Sequence, residues 1–247
     1  MALDFDGVDD GVEHGDIAGI DGTATLTVML WTYVDTLELS AAFSSKSLAS
    51  STETYSLGIM NDDTSVLVFR GNAQFHGNAP TGTLVTGVWM HLAVAYDGAG
   101  VGNSDKVKLY KNGVGLSLTF PTAPPTTLAD SVAGAVRTFR FLANAVFLDG
   151  RAAHHKIWLA PLTAPEIIQE MNSYRPVRTA NLVLSSPYDD GVNARDYSGN
   201  GNHGTVAGAL QAPVAPPVSY GAEARQGPPL FQPPRWRRGD QERLWHT

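Results

Sequence analysis

The acidic stretch at residues 4–10, Asp-Phe-Asp-Gly-Val-Asp-Asp, holds the side chains best suited to metal chemistry. Carboxylates grouped around a glycine turn supply the hard oxygen ligands that Ca²⁺ prefers. Asp6, Asp9 and Asp10 are therefore candidate calcium ligands, and calcium is the one cofactor that the sequence suggests. The alternative is an acidic turn that joins two strands and binds no metal.

Three glycines near the end of the chain, Gly199, Gly201 and Gly204, have the spacing G-x-G-x-x-G. That spacing indicates a dinucleotide site only where it joins a strand to a helix whose N-terminal amides bind the pyrophosphate. The residues after Gly204 show no helical periodicity before the chain becomes rich in proline. We therefore expect a tight turn in which Asp196 and Ser198 cap backbone amides.

Recognition of a carbohydrate or another ligand needs exposed rings. Aromatic and histidine side chains near loop signals are candidates for a concave ligand surface: Tyr33, Tyr55, Phe75, His76 and Tyr188. The tryptophans Trp31, Trp89 and Trp158 lie inside strand-like patterns instead, where core packing is expected. No spacing among these residues identifies a sugar site.

Short segments with alternating apolar residues predict strands that position these side chains. The segments are residues 24–34, 65–71, 89–98, 106–113, 115–120, 138–143 and 154–160. Asn112-Gly113 predicts a hairpin turn, because both positions of that turn favour a positive φ. Residues 162–173 predict one helix, with Thr163 and Glu166 as a capping box. Many short strands indicate a β-sandwich or barrel.

Composition excludes several classes of protein. The chain has 247 residues, a formal net charge of −7 and no cysteine, so it has no disulfides and no thiolate metal sites. The negative charge argues against general nucleic-acid binding. No apolar run approaches the roughly 20 residues of a membrane-spanning helix. We expect neither a nucleic acid nor a membrane as a partner.

The C-terminal part of the chain differs from the rest. Seven of the 15 prolines lie beyond residue 209. Five arginines and three acids give this part a net charge of +2, so residues 1–209 carry a net charge of −9. Proline fixes φ and removes backbone donors, so this part should be extended. The sequence therefore divides into a domain at residues 1–209 and an arm at residues 210–247.

The arm carries residue types that are common at interfaces. They are Phe231, Arg235, Trp236, Arg237, Arg238 and Trp245. Tryptophan and arginine dominate binding hot spots, and an arm stiffened by proline loses less entropy on docking. We expect the arm to dock onto the acidic body of a neighbouring copy or onto a particle surface, which makes a homo-oligomer or a larger assembly the expected state.

Six segments also carry a family resemblance. Residues 2–15, 26–35, 87–98, 107–114, 154–167 and 196–209 resemble the laminin-G-like, concanavalin A-like lectin/glucanase superfamily. The resemblance implies an all-β jelly roll of two antiparallel sheets, with the predicted helix as a short addition. The independent assignment of strands agrees with this fold class.

The resemblance also bears on catalysis and calcium. Glucanase relatives place catalytic carboxylates as Glu-x-Asp-x-x-Glu, and no glutamate here begins that pattern, so we expect no enzyme activity. Relatives often bind calcium at the rim with help from a late strand, where this chain has Ala153 instead of an acid. His154 and His155 do not replace it, because adjacent strand residues face opposite sides. We expect one of them to pack in the sheet and the other to face solvent.

Two classes of function follow. The sequence favours a non-catalytic structural subunit of a viral, bacteriophage-type particle, docked through the arm, because no secretory signal is visible. Such a protein would be made in the cytoplasm and reside on a virion or extracellular particle. The alternative is a glycan-binding, lectin-like or adhesion module of a secreted or surface protein.

Overall fold

The computed structural model shows two antiparallel sheets packed face to face, as expected. The structure describes residues 1–38, 40–48, 53–59, 66–72, 74–131, 133–141, 146–189 and 193–218, and only the backbone of Phe75. Each large sheet has eight strands, numbered here along the chain.

Sheet I contains the longest strands. Its order is β10 (Val114–Gly115), β9 (Val107–Lys111), β8 (Trp89–Asp97), β3 (Thr25–Val34), β14 (Asp149–Trp158), β1 (Leu3–Asp6) and β18 (Leu210–Gln211). β15 (Leu182–Ser186) pairs with the second half of β14. Helix α1 (Asn103–Lys106) precedes β9, and helix α2 (Ala164–Met171) follows β14.

Sheet II faces sheet I across the core. Its order is β16 (Asn193–Ala194), β17 (Gly204–Ala207), β2 (Gly11–Glu13), β11 (Ala135–Thr138), β4 (Ala42–Ser47), β5 (Glu53–Ile59), β6 (Leu67–Gly71) and β7 (Gln74–Asn78). A separate hairpin pairs β12 (Arg140–Phe141) with β13 (Val146–Phe147).

Alternation along the strands fills the core. Leu26, Val28 and Leu30 on β3 point inward and meet Leu57 and Phe69 of sheet II within one buried cluster. Their apolar alternation is the pattern that predicted a strand at residues 24–34, because side chains of a strand alternate between faces. Neither helix of the described residues is long and apolar enough to cross a membrane.

Local turn and cap predictions are confirmed. Asn112 and Gly113 have φ of 50° and 77° in the turn between β9 and β10. The predicted helix at residues 162–173 is present as the shorter α2, and Glu166 accepts a hydrogen bond of 2.8 Å from the Thr163 N–H.

The glycine-rich stretch is a turn and not a dinucleotide site. Asp196 Oδ1 accepts the N–H groups of Ser185 and Ser198 at 2.9 and 2.8 Å. Gly199 and Gly201 have φ of 92° and 77°, a region that glycine enters at little cost. A strand, β17, begins at Gly204 where a dinucleotide fold would begin a helix.

The outward face of sheet I is partly covered. Ile167 of α2 packs with Trp158, and Trp31 donates a hydrogen bond of 3.0 Å to the Met171 carbonyl. Trp31 and Trp158 are buried here, which agrees with packing rather than stacking on a sugar. Glu170 of α2 is buried, and its Oε2 lies 2.8 Å from Lys156 Nζ.

The two adjacent histidines of β14 correct the sequence expectation. They do face opposite sides, but neither reaches solvent, since His154 and His155 are 4% and 0% exposed. His154, with φ of 53° at a register shift in β14, packs edge-on against Tyr174 at 5.5 Å. The ring that should have faced water is therefore covered by the chain after α2.

His155 begins a chain of buried polar groups between the sheets. Its Nε2 lies 2.9 Å from Ser44 Oγ, which lies 3.0 Å from the Tyr55 hydroxyl. Its Nδ1 lies 2.9 Å from Thr138 Oγ1, which lies 2.7 Å from the Tyr188 hydroxyl. These contacts connect sheet I directly to β4 and β11 of sheet II.

The chain of polar groups ends at His14. The Tyr188 hydroxyl lies 3.3 Å from His14 Nε2, and His14 Nδ1 lies 3.0 Å from the Asn202 carbonyl oxygen. Burial lowers the pKa of His14 to about 4 and the pKa of His155 well below its usual value. Both rings are therefore neutral at neutral pH and act as hydrogen-bonding groups without charge.

Replacing Thr138 with valine should destabilise the fold. The hydroxyl links His155 to Tyr188, and its loss leaves buried polar atoms without that partner, at a cost of about 1–3 kcal/mol. Urea unfolding measures the change, with Thr205→Val on the exposed side of β17 as the control. Equal stability of the two variants would show that the contact contributes nothing.

Candidate functional site

A row of polar side chains runs across the outward face of sheet II. Arg137 on β11 is opposite Glu13 on β2 and Ser45 on β4. Ser45 is opposite Ser56 on β5, and Ser56 is opposite Arg70 on β6. We call these five residues the polar row. Each one neighbours a residue that points into the core, so strand alternation places the whole row on the outside.

Charged pairs lie at both ends of the polar row. Arg137 Nε is 3.0 Å from Glu13 Oε2, and Arg137 also donates a hydrogen bond of 2.7 Å to the Ser47 carbonyl. Arg70 Nη1 is 3.2 Å from Oε2 of Glu53, which lies on β5 beside the row. Ser45, Ser56 and Arg137 are buried, so the accessible groups of the row are Glu13 at one end and Arg70 at the other.

The β12–β13 hairpin lies against the same face. Ser45 Oγ donates a hydrogen bond of 3.1 Å to the Arg140 carbonyl, and the Arg70 guanidinium lies 5.5 Å from the centre of the Phe141 ring. Gly11 allows this approach, because an added Cβ there would meet Arg140 Cδ at 3.0 Å. The hairpin thus brings an aromatic ring to the charged end of the row.

Glu53 is a buried carboxyl on this face, and its pKa is shifted. It is 0% exposed, and neither of its carboxyl oxygens accepts a hydrogen bond of good geometry from the described part of the chain. Burial raises the pKa of Glu53 to about 7, although the positive charge of Arg70 acts in the opposite direction. Unsatisfied buried polar groups are rare and often belong to functional sites.

This arrangement can bind a hydroxylated ligand. The half-buried Arg70 guanidinium can donate hydrogen bonds to hydroxyl groups, and the Glu53 carboxyl beside it can accept them. The Phe141 ring is buried and supports the guanidinium from below. Ligand sites typically combine apolar surface with a few placed polar groups of this kind. We call Glu53, Arg70, Phe141 and the polar row the sheet II site.

Three of the predicted ligand-surface residues are not on a surface. Tyr55 and Tyr188 are fully buried, because their hydroxyls belong to the polar chain between the sheets. His76 is 3% exposed, with its ring nitrogens 3.3 and 2.9 Å from the carbonyl oxygens of Thr122 and Gly71. These rings stabilise the fold, and the sequence assignment to a ligand surface is wrong for them.

The other two predicted rings have different outcomes. The side chain of Phe75 lies outside the described residues. Tyr33 is half-buried on the outward face of sheet I, under the Arg151 guanidinium at 4.5 Å. It is therefore on the opposite face of the molecule from the sheet II site.

The sheet II site was not predicted from the sequence, although the sequence contains part of the pattern of its strands. Tyr55, Leu57 and Ile59 alternate with polar residues, which is the pattern of a half-buried strand, and Arg70 falls inside the predicted strand at 65–71. The juxtaposition of Glu53, Arg70 and Phe141 depends on pairings across the sheet that no local pattern shows.

The acidic stretch forms a tight loop after β1. One carboxylate oxygen from each of Asp6, Asp9 and Asp10 lies within 4.8 Å of the others. Asp10 Oδ2 accepts the Asp6 N–H at 2.8 Å, and Asp6 Oδ1 accepts the Val8 N–H at 2.8 Å. The donor set suits a hard cation, and backbone amides also donate to one oxygen each of Asp10 and Asp6.

The late strand places an acid near this site at a position other than Ala153. Asp6 is opposite Asp149, four residues before Ala153 on β14. Ala153 is buried with Trp31 on the outward face of sheet I. Calcium binding therefore stays a proposal that depends on three aspartates.

Chelation of calcium should change stability little. A structural ion held at a hundredfold its dissociation constant would add about 2.7 kcal/mol to the free energy of unfolding, which a melting curve resolves easily. We expect the melting temperature with chelator to fall by no more than a few degrees. A large fall that Asp9→Asn abolishes would contradict this and establish the loop as a calcium site.

Glu53 should make stability depend on pH. The pKa of Glu53 is raised in the folded protein. Its contribution to the free energy of unfolding is therefore complete below the pKa of the unfolded chain and is lost as the pH rises through about 7. Glu53→Gln should therefore gain stability relative to the wild type between pH 5 and pH 8, as measured by urea unfolding. Glu13→Gln, which removes a carboxylate that is 41% exposed, is the control. A constant difference across this range would contradict the raised pKa.

Comparison with solved structures agrees with the observed sandwich. The chain is similar to a candidate carbohydrate binding protein from Bacteroides ovatus, with 18% identity and a TM-score of 0.62 over 87% of this chain and 61% of that chain. The native heptameric SAP-like pentraxin of Limulus polyphemus shows 15% identity and a TM-score of 0.55 over 74% of this chain and 87% of that chain. The chain thus spans about three fifths of the Bacteroides protein, and both similarities show the fold alone.

Sequence comparison identifies the family. No curated protein matches the chain in sequence. The family model of the concanavalin A-like lectin/glucanases superfamily matches residues 6–168, which include strands of both large sheets and most of α2. This match and the observed jelly-roll sandwich agree with the resemblance of the six sequence segments, and the chain therefore belongs to the concanavalin A-like lectin/glucanase superfamily.

Proposed function

We propose that the protein is a non-catalytic glycan-binding module and that the sheet II site is its binding surface. The observation that carries the proposal is Glu53, a fully buried carboxyl that pairs with Arg70 but accepts no hydrogen bond of good geometry from the described residues, close to Phe141. Sugar hydroxyls would donate hydrogen bonds to the carboxyl and accept them from the guanidinium.

The structural neighbours support this proposal without deciding it. The Bacteroides ovatus protein is described as carbohydrate binding, and it shares the fold of this chain. Fold alone does not fix function, because the same sandwich hosts several activities. The chemistry of the sheet II site supplies the additional reason to favour a glycan.

Binding without hydrolysis fits the positions of the carboxylates. Glycosidases commonly hold two carboxyl groups about 5–9.5 Å apart around the scissile bond. Glu13 and Glu53 lie on β2 and β5, which are three strand steps apart in the sheet, or about 14 Å. Each also has an arginine partner. We therefore propose no catalytic role for this pair.

The assembly role stays a prediction. The arm residues that would dock on a particle, Phe231, Arg235, Trp236, Arg237, Arg238 and Trp245, lie outside the described residues. The particle, its bacteriophage-type origin and the virion location depend on that arm, and so does the proposed homo-oligomer. The glycan-binding proposal does not depend on it, since every residue of the sheet II site belongs to the described part of the chain.

Binding to a panel of immobilised glycans tests the proposal. Arg70→Ala should lose binding at least tenfold, because hydrogen bonds to a charged group are worth about 1.5–3 kcal/mol. Arg195→Ala is the matched control, since Arg195 also stacks on an aromatic ring, that of Tyr197 at 5.4 Å, but is exposed elsewhere. Circular dichroism confirms that both variants are folded.

Three results would contradict the proposal. The wild type could bind no glycan on a panel of neutral and acidic oligosaccharides, or Arg70→Ala could bind as the wild type does. Release of reducing sugar from a bound oligosaccharide, lost in Glu53→Gln, would show an enzyme in place of a binding module.

A further inference from the structure

The outward face of sheet I carries a second row of side chains. Asp4 on β1 is opposite Arg151 on β14, Arg151 is opposite Tyr33 on β3, and Tyr33 is opposite Trp89 on β8. We call these four residues the sheet I row. It crosses four neighbouring strands on the side of the molecule away from the sheet II site, and it combines acidic and aromatic groups.

Together with the neighbouring Asp35, the sheet I row has acidic charge in excess. Arg151 Nε is 3.0 Å from Asp4 Oδ1, and Arg151 Nη2 is 3.6 Å from Asp35 Oδ2. Both aspartate side chains are 39% exposed, while Arg151 is 20% exposed. The rings of Tyr33 and Trp89 meet edge to face at 5.7 Å and are half-buried. Two carboxylates thus share one guanidinium beside an aromatic pair.

The C-terminal part of the chain already lies on this face. Ala212 N–H donates a hydrogen bond of 2.9 Å to the Ala2 carbonyl, and Ala212 and Val218 are buried in one cluster with Trp31. Trp89 packs against the same cluster. Val218 is the last described residue, so the chain continues from a point next to the sheet I row.

The sequence beyond Val218 has the chemistry that matches this row. Two proline pairs, at 228–229 and 233–234, precede Arg235-Trp236-Arg237-Arg238. Proline favours the polyproline II conformation, and proline-rich segments bind aromatic surfaces in that form. Arginine pairs with carboxylates through charge-assisted hydrogen bonds. We propose that residues 228–238 bind the sheet I row of their own chain, with prolines on Tyr33 and Trp89 and arginines at the aspartates.

Length and tethering favour the same chain over a neighbour. The ten residues from Val218 to Pro228 can span up to about 33–36 Å, and the row is about 14 Å wide. A short tether gives a local concentration in the millimolar range, which a free second copy does not reach at ordinary protein concentrations. This differs from the expectation that the arm binds a neighbouring copy.

A fluorescent label tests the proposal in the full chain. The protein has no cysteine, so a fluorophore that tryptophan quenches can be placed at Val88→Cys, an exposed position next to Trp89. Trp236→Leu should then raise the fluorescence, because it removes the quenching ring of the arm. The triple change of Arg235, Arg237 and Arg238 to Glu should do the same. The control label is placed at Val101→Cys, just beyond the end of β8 and about 30 Å from Val88, and its fluorescence should not change.

Varying the protein concentration distinguishes binding of the arm to its own chain from binding to a second copy. Quenching within one chain is independent of protein concentration, and this result supports the proposal. Fluorescence at Val88→Cys that Trp236→Leu leaves unchanged would overturn it. Quenching that appears only as the concentration rises would also overturn it and would favour the assembly role. Because the row and the sheet II site lie on different sheets, glycan binding can succeed or fail independently.

Discussion

The hydrogen-bonded chain through His155 connects the two sheets and fixes how they face each other. His155 on β14 contacts Ser44 on β4 and Thr138 on β11, which are opposite each other in sheet II. Burial of polar groups is costly unless they are paired, so the sheets are stable only in the registers that pair all of these groups.

The same strands carry the sheet II site on their other side. The residue after Ser44 is Ser45, and the residue before Thr138 is Arg137. Since adjacent strand residues face opposite sides, the inner contacts determine where the outer side chains stand. The neutral state of the buried histidines matters here, because it adds no charge beneath Arg137. Rigid elements that are held from within are the favourable place for a binding site.

The positions of the inner and outer side chains explain which strands and turns could be predicted from the sequence. β3 and β8 are evident because one face of each is apolar, and Asn112-Gly113 and Asp196 are evident because turn chemistry is local. β4 was not predicted, since Ser44 faces the inner polar chain and Ser45 the outer polar row, which leaves little apolar alternation to detect. Tyr55 resembles a loop tyrosine in sequence, but its hydroxyl finds a partner in the core. Such pairings are long-range properties of the fold.

The proposed function depends on a glycan binding to the outward face of sheet II. Side-chain Nε–Hε signals of the arginines, followed by NMR during titration with an oligosaccharide mixture, test it most directly. We expect the Arg70 signal to shift, while the signals of Arg151 on sheet I and of Arg195 stay in place. A titration that moves Arg151 and leaves Arg70 unchanged would contradict it.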